Sequence, residues 1–168
     1  MSGKKIFVTV GTTNFDALIN IMSEDEVLKE LNKKGYDELI MQIGKTALKP
    51  DCEPRCGFKT IQTFNTKPFL VDHIKHADLI ISHAGAGTCL EVLENQKPLI
   101  VVINYSLMDN HQAELAKGLH ENGYLLFCNH SELLNLFQKM DISSINKFTY
   151  DKSKKITNSI NELMGFNQ

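Results

Sequence analysis

Two glycines follow a short apolar run and open a helical pattern in Ser82-His83-Ala84-Gly85-Ala86-Gly87-Thr88. The first backbone N–H groups of a helix have no intrahelical partner, and the macrodipole there is positive, so an anion is stabilised at such a start. Gly85 and Gly87 let phosphate oxygens approach the backbone, Thr88 adds a hydroxyl donor, and His83 offers an imidazole donor. The same loop also serves as ordinary punctuation between a strand and a helix, and a histidine there often just satisfies a core or loop position. Glu91 has two readings as well. Thr88-Cys89-Leu90-Glu91 fits a capping box, with the glutamate reaching back to the helix start. One turn into a helix that holds a diphosphate, a carboxylate is also placed to accept from two ribose hydroxyls.

Other nucleotide templates fail on these residues. A dinucleotide fingerprint built on Gly85 and Gly87 needs a third glycine where Leu90 stands, and the next strand ends at Asn104 where an acid should meet the ribose. Gly44-Lys45-Thr46 resembles the end of a P-loop, but the required earlier glycine is Leu39. There is no Asp-x-Asp to hold a divalent ion. His73 and His76 read as solvated helix surface, and Cys52 and Cys56 lack a second Cys/His pair at zinc spacing, so both cysteines read as reduced thiols. No metal or other cofactor is expected.

These residues need a scaffold, and the rest of the chain supplies one. Residues 6–10 form an apolar, β-branched run that ends at a glycine turn, Gly11-Thr12-Thr13-Asn14, before helical spacing resumes. Further strands are expected over 38–43, 58–64, 78–82, 98–103 and 124–127. Helices are expected over 68–76, from the second glycine loop to Asn95, over 108–121, from a Ser131 cap to Lys139, and over 151–164. Gly35 breaks the chain after Leu31, Asn122-Gly123 suits a left-handed cap, and 44–57 reads as loop. Strands alternating with helices predict an α/β fold, a Rossmann-like parallel sheet covered on both faces, whose ligands lie beyond the carboxyl ends of the strands.

The 168 residues, 42% of them hydrophobic, suit a single domain spanning 1–168 with its core in 5–140. Eighteen basic against twenty acidic residues leave a net charge of -2, with no footprint for nucleic acid. The start of the chain runs straight into the first strand and is expected to carry no membrane anchor of its own.

Four stretches carry a resemblance: Phe7-Val8-Thr9-Val10-Gly11-Thr12-Thr13, then Ile81 through Glu91, then Lys97-Pro98-Leu99, and Asn110-His111-Gln112-Ala113-Glu114-Leu115-Ala116. Together they resemble the catalytic subunit of the eukaryotic UDP-N-acetylglucosamine transferase that forms dolichyl-diphosphate chitobiose. More broadly, they are similar to the C-terminal, donor-binding half of MurG-type GT-B glycosyltransferases and to the donor motif of UDP-glycosyltransferases. The resemblance spans residues 6 to about 127 and is weak in 44–57 and in the last forty residues.

The resemblance implies that His83, Gly85, Gly87 and Thr88 hold the diphosphate and that Glu91 holds the uridine ribose. His111 and Gln112 would contact the donor sugar. Gly11, Thr12 and Thr13 would form a second turn facing the diphosphate, with uracil near the backbone of Phe64 and Asn65. It further implies inverting, metal-independent transfer of N-acetylglucosamine from UDP-GlcNAc to GlcNAc-diphosphate-dolichol in N-glycan precursor synthesis. The acceptor and the general base would come from a membrane-anchored, Alg14-like acceptor-binding subunit, which recruits this cytoplasmic chain to the cytosolic face of the endoplasmic reticulum. The 151–164 helix is a candidate docking element, or packs on its own domain. Two other readings stay open: a subunit of a bacterial-type exopolysaccharide transferase using another UDP-sugar, and a non-catalytic nucleotide-sugar-binding module.

Overall fold

The computed structural model describes residues 3–11, 13–83, 85–103, 110–141 and 145, with the backbone only at 86 and 110–113. Six parallel strands form one sheet in the order β3-β2-β1-β4-β5-β6: β1 Lys4–Thr9, β2 Tyr36–Gln42, β3 Thr60–Phe64, β4 Leu79–His83, β5 Leu99–Ile103 and β6 Leu126–Asn129. The expected Rossmann-like arrangement is therefore the one the chain adopts.

Side-chain alternation along the strands builds two cores. Ile6, Val8 and Val10 point to one face, where α1 (Asp16–Met22), α2 (Asp25–Lys33) and α6 (Leu133–Lys139) bury Leu18, Leu28 and Phe137. Phe7 and Ile80 point to the other, under α3 (Val71–His76), α4 (Ala86–Glu94) and α5 (Asn110–Glu121), which contribute Ile74, Val92 and Leu119. The interior strand β5 is buried along its whole length, as its unbroken apolar run requires.

Several expected boundaries move, each for a local reason. β3 starts at Thr60, because Phe58 is buried in a tight turn whose N–H bonds the Arg55 carbonyl at 2.8 Å. α3 starts at Val71, leaving Phe69 81% exposed. β6 starts at Leu126 because Gly123, at φ +78°, ends α5 in a Schellman motif: Gly123 N–H bonds His120 O at 2.9 Å and Tyr124 N–H bonds Leu119 O at 3.0 Å. The Ser131 cap is corrected. Asn129 caps a 3₁₀ turn over His130–Glu132 that leads into α6, and it accepts the Glu132 N–H at 3.1 Å while Glu132 Oε1 accepts the Asn129 N–H at 3.2 Å. Ser131 instead donates to the Asn129 side chain.

The loop 44–57 is pinned by Arg55, which donates to Asp25 Oδ1 at 3.0 Å and to the Ser23 carbonyl at 2.8 Å. Cys52 and Cys56 carry free thiols. The helix expected over 151–164 lies outside the described residues. Asn129→Ala should lower stability by about 1 kcal/mol and Ser131→Ala by only a few tenths, measured by urea unfolding.

Candidate functional site

From β1 the chain moves outward to β2 and β3, and from β4 it moves the other way to β5 and β6. Adjacent loops diverge at such a switch point and leave a crevice beyond the carboxyl ends of the strands. β1 and β4 run in register there, with Thr9 beside Ser82. Both glycine turns expected from the sequence therefore meet at one place, Gly11 leaving β1 and Gly85 leaving β4.

His83 joins them. A Cβ placed on Gly11 would lie 2.9 Å from its Cε1, and one placed on Gly85 would lie 2.8 Å from its Nε2. The imidazole occupies the space between the two turns, and a side chain at either position would push it out. Gly11 also sits at φ +64°, where L side chains are strained. His83 Nδ1 is buried with no hydrogen-bond partner. Burial holds the imidazole below its ordinary value of 6.5; the Thr9 main chain opposes this in part, without a bond of normal geometry to Nδ1. The ring is accordingly neutral at pH 7 and can offer an anion one N–H but no charge.

Thr13 closes the first turn: its N–H and its hydroxyl both donate to the Val10 carbonyl, at 3.3 and 2.8 Å. Its hydroxyl is thus committed to the turn rather than turned toward a ligand. Thr12 lies outside the described residues.

The second turn runs into α4 with Gly85 as N-cap, extended at φ -76° and ψ 123°, and with no side-chain cap. Cys89 N–H makes the first helical bond, to Gly85 O at 3.0 Å, so the N–H groups of 86, 87 and 88 have no intrahelical acceptor. Thr88 lies inside the helix instead of capping it, and the capping box from Thr88 to Glu91 does not form. The half-buried Glu91 carboxylate makes no hydrogen bond or ion pair among the described residues. Gly87 is exposed, and an added Cβ would meet nothing within 4 Å. Its surface is open to a ligand.

α5 starts at Asn110, beyond the carboxyl end of β5, which brings the backbone of 111 and 112 to this same edge of the sheet. The side chains of His111 and Gln112 lie outside the described residues. At Phe64 and Asn65 the carbonyls accept from Ile43 N–H and Gly44 N–H at 2.9 and 3.0 Å, and Asn65 Nδ2 donates to Gly44 O at 3.0 Å. That backbone joins the ends of β2 and β3.

His73 is not the solvated group its spacing suggests. Its ring stacks on Phe7 and on Phe64, both at 5.0 Å, and Lys67 Nζ lies 3.1 Å from its Nε2. Desolvation and then the Lys67 charge hold it below its usual value. His76 is exposed. Among the described residues no cluster of three or more His, Cys, Asp or Glu is placed to hold a metal. Sequence reading gave no role to Thr9, Gln42 and Ser82, whose signal is a polar residue at or next to the carboxyl end of a strand.

A doubly wound parallel sheet with two glycine turns and an open helix start at its switch point defines the chain as a Rossmann-like α/β domain. The chain belongs to the glycosyltransferase family 28 C-terminal domain family, whose model matches residues 5–164. It is 50% identical over 125 residues to the human UDP-N-acetylglucosamine transferase subunit ALG13, a match that takes in 74% of this chain and 11% of the human protein. The Saccharomyces cerevisiae protein of the same name is 33% identical over 157 residues, covering 74% of this chain and 77% of that one. The chain thus matches only about a tenth of the human relative but most of the yeast one. An NMR structure of ALG13 superposes with TM-score 0.69 at 26% identity over 92% of this chain and 95% of that one. Acinetobacter baumannii MurG gives TM-score 0.63 at 20% identity over 96% of this chain and 46% of that one, which bears on fold alone. No helix among the described residues is long and apolar enough to cross a membrane.

Gly11→Ala should lower stability by about 1–2 kcal/mol, the cost of a left-handed non-glycine residue, whereas Gly87→Ala in the first turn of α4 should raise it by up to about 1 kcal/mol; urea unfolding of both variants checks this. The depressed His83 value also fixes a pH dependence. The unfolded chain binds the proton more readily, so the His83 contribution is fully present above its ordinary value of 6.5 and is lost as pH falls below it. The urea midpoint should fall from pH 8 to pH 5, and His83→Gln should flatten that decline.

Proposed function

We propose that the chain is the donor-binding subunit of an inverting glycosyltransferase that moves N-acetylglucosamine from UDP-GlcNAc to GlcNAc-diphosphate-dolichol. The observation that carries this reading is the helix start of α4, which has no side-chain cap, beside a carboxylate, Glu91, that has no partner among the described residues. The relatives' name, a UDP-N-acetylglucosamine transferase subunit, supports the donor and the need for a second chain.

In this reading the acceptor hydroxyl attacks the anomeric carbon, the bond to the diphosphate breaks, and negative charge grows on the departing UDP. The N–H groups of 86, 87 and 88 and the positive end of α4 face that charge, and fixed dipoles stabilise it without reorganisation. A divalent ion does this elsewhere, and the chain contains no Asp-x-Asp to hold one. The proposed reaction is metal-independent. Glu91 takes the ribose hydroxyls, while His111 and Gln112, in the first turn of α5, take the sugar. The acceptor and the general base belong to a membrane-anchored partner that closes the other side of the crevice and brings the chain to the cytosolic face of the endoplasmic reticulum.

Glu91→Ala should weaken UDP binding by about 1.5–3 kcal/mol, measured by calorimetry, with little change in thermal stability because the carboxylate makes no bond among the described residues. The full reading is tested by reconstituting the chain with the membrane subunit, UDP-GlcNAc, a GlcNAc-diphosphate-lipid and a chelator. If UDP binds but no sugar is ever transferred, the chain is a binding module and the catalytic reading fails.

A further inference from the structure

Among the described residues, four polar or charged side chains are classed as buried: Thr9, Asp37, Gln42 and Ser82. Asp37 stands near the opposite end of the sheet, where Lys59 Nζ reaches its carboxylate at 3.4 Å. The other three form a single row. Thr9 is the register partner of Gln42 on one side and of Ser82 on the other, so β2, β1 and β4 place them side by side at the carboxyl end. Neighbours in a parallel sheet share a face, and alternation places this row with Phe7, Ile40 and Ile80, under α3, α4 and α5. Thr9, Gln42 and Ser82 are 0%, 2% and 0% exposed.

Polar atoms buried in an apolar layer cost stability unless bonded, and an apolar row would pack the same space without that risk. Each of these is bonded, and the bonds lead to the two glycine turns. Gly11 N–H donates to Thr9 Oγ1 at 3.0 Å, and Thr9 Oγ1 in turn donates to Gln42 Oε1. Ser82 Oγ donates to the His83 carbonyl at 2.7 Å. One branch fixes the backbone of the β1 turn, and the other fixes the residue whose imidazole lies between both turns.

We propose that Gln42, Thr9 and Ser82 are positioning residues for the donor diphosphate: a buried polar shelf that holds the Gly11 turn and His83 in the geometry the anion meets. The inference rests on the donor-binding reading above and extends it to three residues that touch no ligand. Thr9 is the centre of the shelf. It accepts from the turn and donates to Gln42, and its main chain faces His83. A hydroxyl can do both jobs at once; a methyl of the same shape can do neither.

The test uses the full chain with UDP as the probe, following two quantities for the wild type, Thr9→Val and Thr9→Ser: hydrogen-exchange protection of the Gly11 amide by NMR, and UDP affinity by calorimetry. Thr9→Val should release the Gly11 amide and weaken UDP roughly two- to tenfold, the range for one hydrogen bond, and Thr9→Ser should restore both. The double variant Thr9→Val/Gln42→Leu replaces both partners by apolar groups, should fold at least as stably as Thr9→Val, and should bind UDP no better; it decides the matter if Thr9→Val alone folds poorly. Unchanged Gly11 protection in Thr9→Val would overturn the holding role. A released amide with unchanged UDP affinity would overturn the positioning role. A wild-type chain that binds no UDP would sink the donor-site reading instead, while the exchange data still decide whether Thr9 holds the turn.

Discussion

The imidazole of His83 can lie between the ends of β1 and β4 only because neither Gly11 nor Gly85 carries a side chain. Much of the site follows from that contact. It brings the two turns within one ring of each other and buries Nδ1 without a partner. Burial keeps the ring neutral. In the proposed reaction, a charged imidazolium here would attract the donor diphosphate more strongly, but would also hold the departing UDP more tightly. A neutral ring beside a helix start instead leaves most of the electrostatic work to backbone dipoles, which are fixed in place before the charge develops.

The strand order makes that contact possible. The crevice exists only where connections diverge, and in this sheet they diverge between β1 and β4. The apolar faces of the same strands anchor the arrangement: Val8 lies beside Ile81 in register, and Phe7 is fully buried. The two cores therefore hold the crevice from both sides of the sheet. The polar row at the carboxyl end is the exception to their apolar character, and it stands directly below the turns.

Much of the scaffold was legible because its signals are local. β-branched runs mark β1 and β5, and glycines mark the end of α2 and the cap after α5, where Gly35 and Gly123 have φ of +97° and +78°. The sequence was least decisive where two local signals compete. Thr88 with Glu91 and Gly85 with an uncapped start are both valid openings for α4, and the fold takes Gly85. Asn129 and Ser131 are both good caps two residues apart, and the reciprocal bonds with Glu132 select the first. His73 was misread for another reason: Phe7, from a strand far away in the chain, and Phe64, at the end of the preceding strand, both stack on it. At the site, glycine spacing announced an anion, but the reason for glycine at 11 and 85 is the ring of His83, which is visible only once β1 and β4 are adjacent.

The loss of the capping box changes what Glu91 must be. A carboxylate that closed a box with Thr88 would be largely satisfied within the fold, and removing it would affect the helix first. With Gly85 at the cap, Glu91 stands half-buried, one turn above an unsatisfied helix start, and has no partner among the described residues. The positive end of the helix favours the carboxylate without using up its lone pairs. Those lone pairs remain for donors from outside the chain. Hydroxyl donors beside a bound anion are what a ribose diphosphate presents, so in the proposed donor-binding reading the element that would attract the phosphate and the group that would read the sugar next to it lie on one helix, at a spacing set by a single turn.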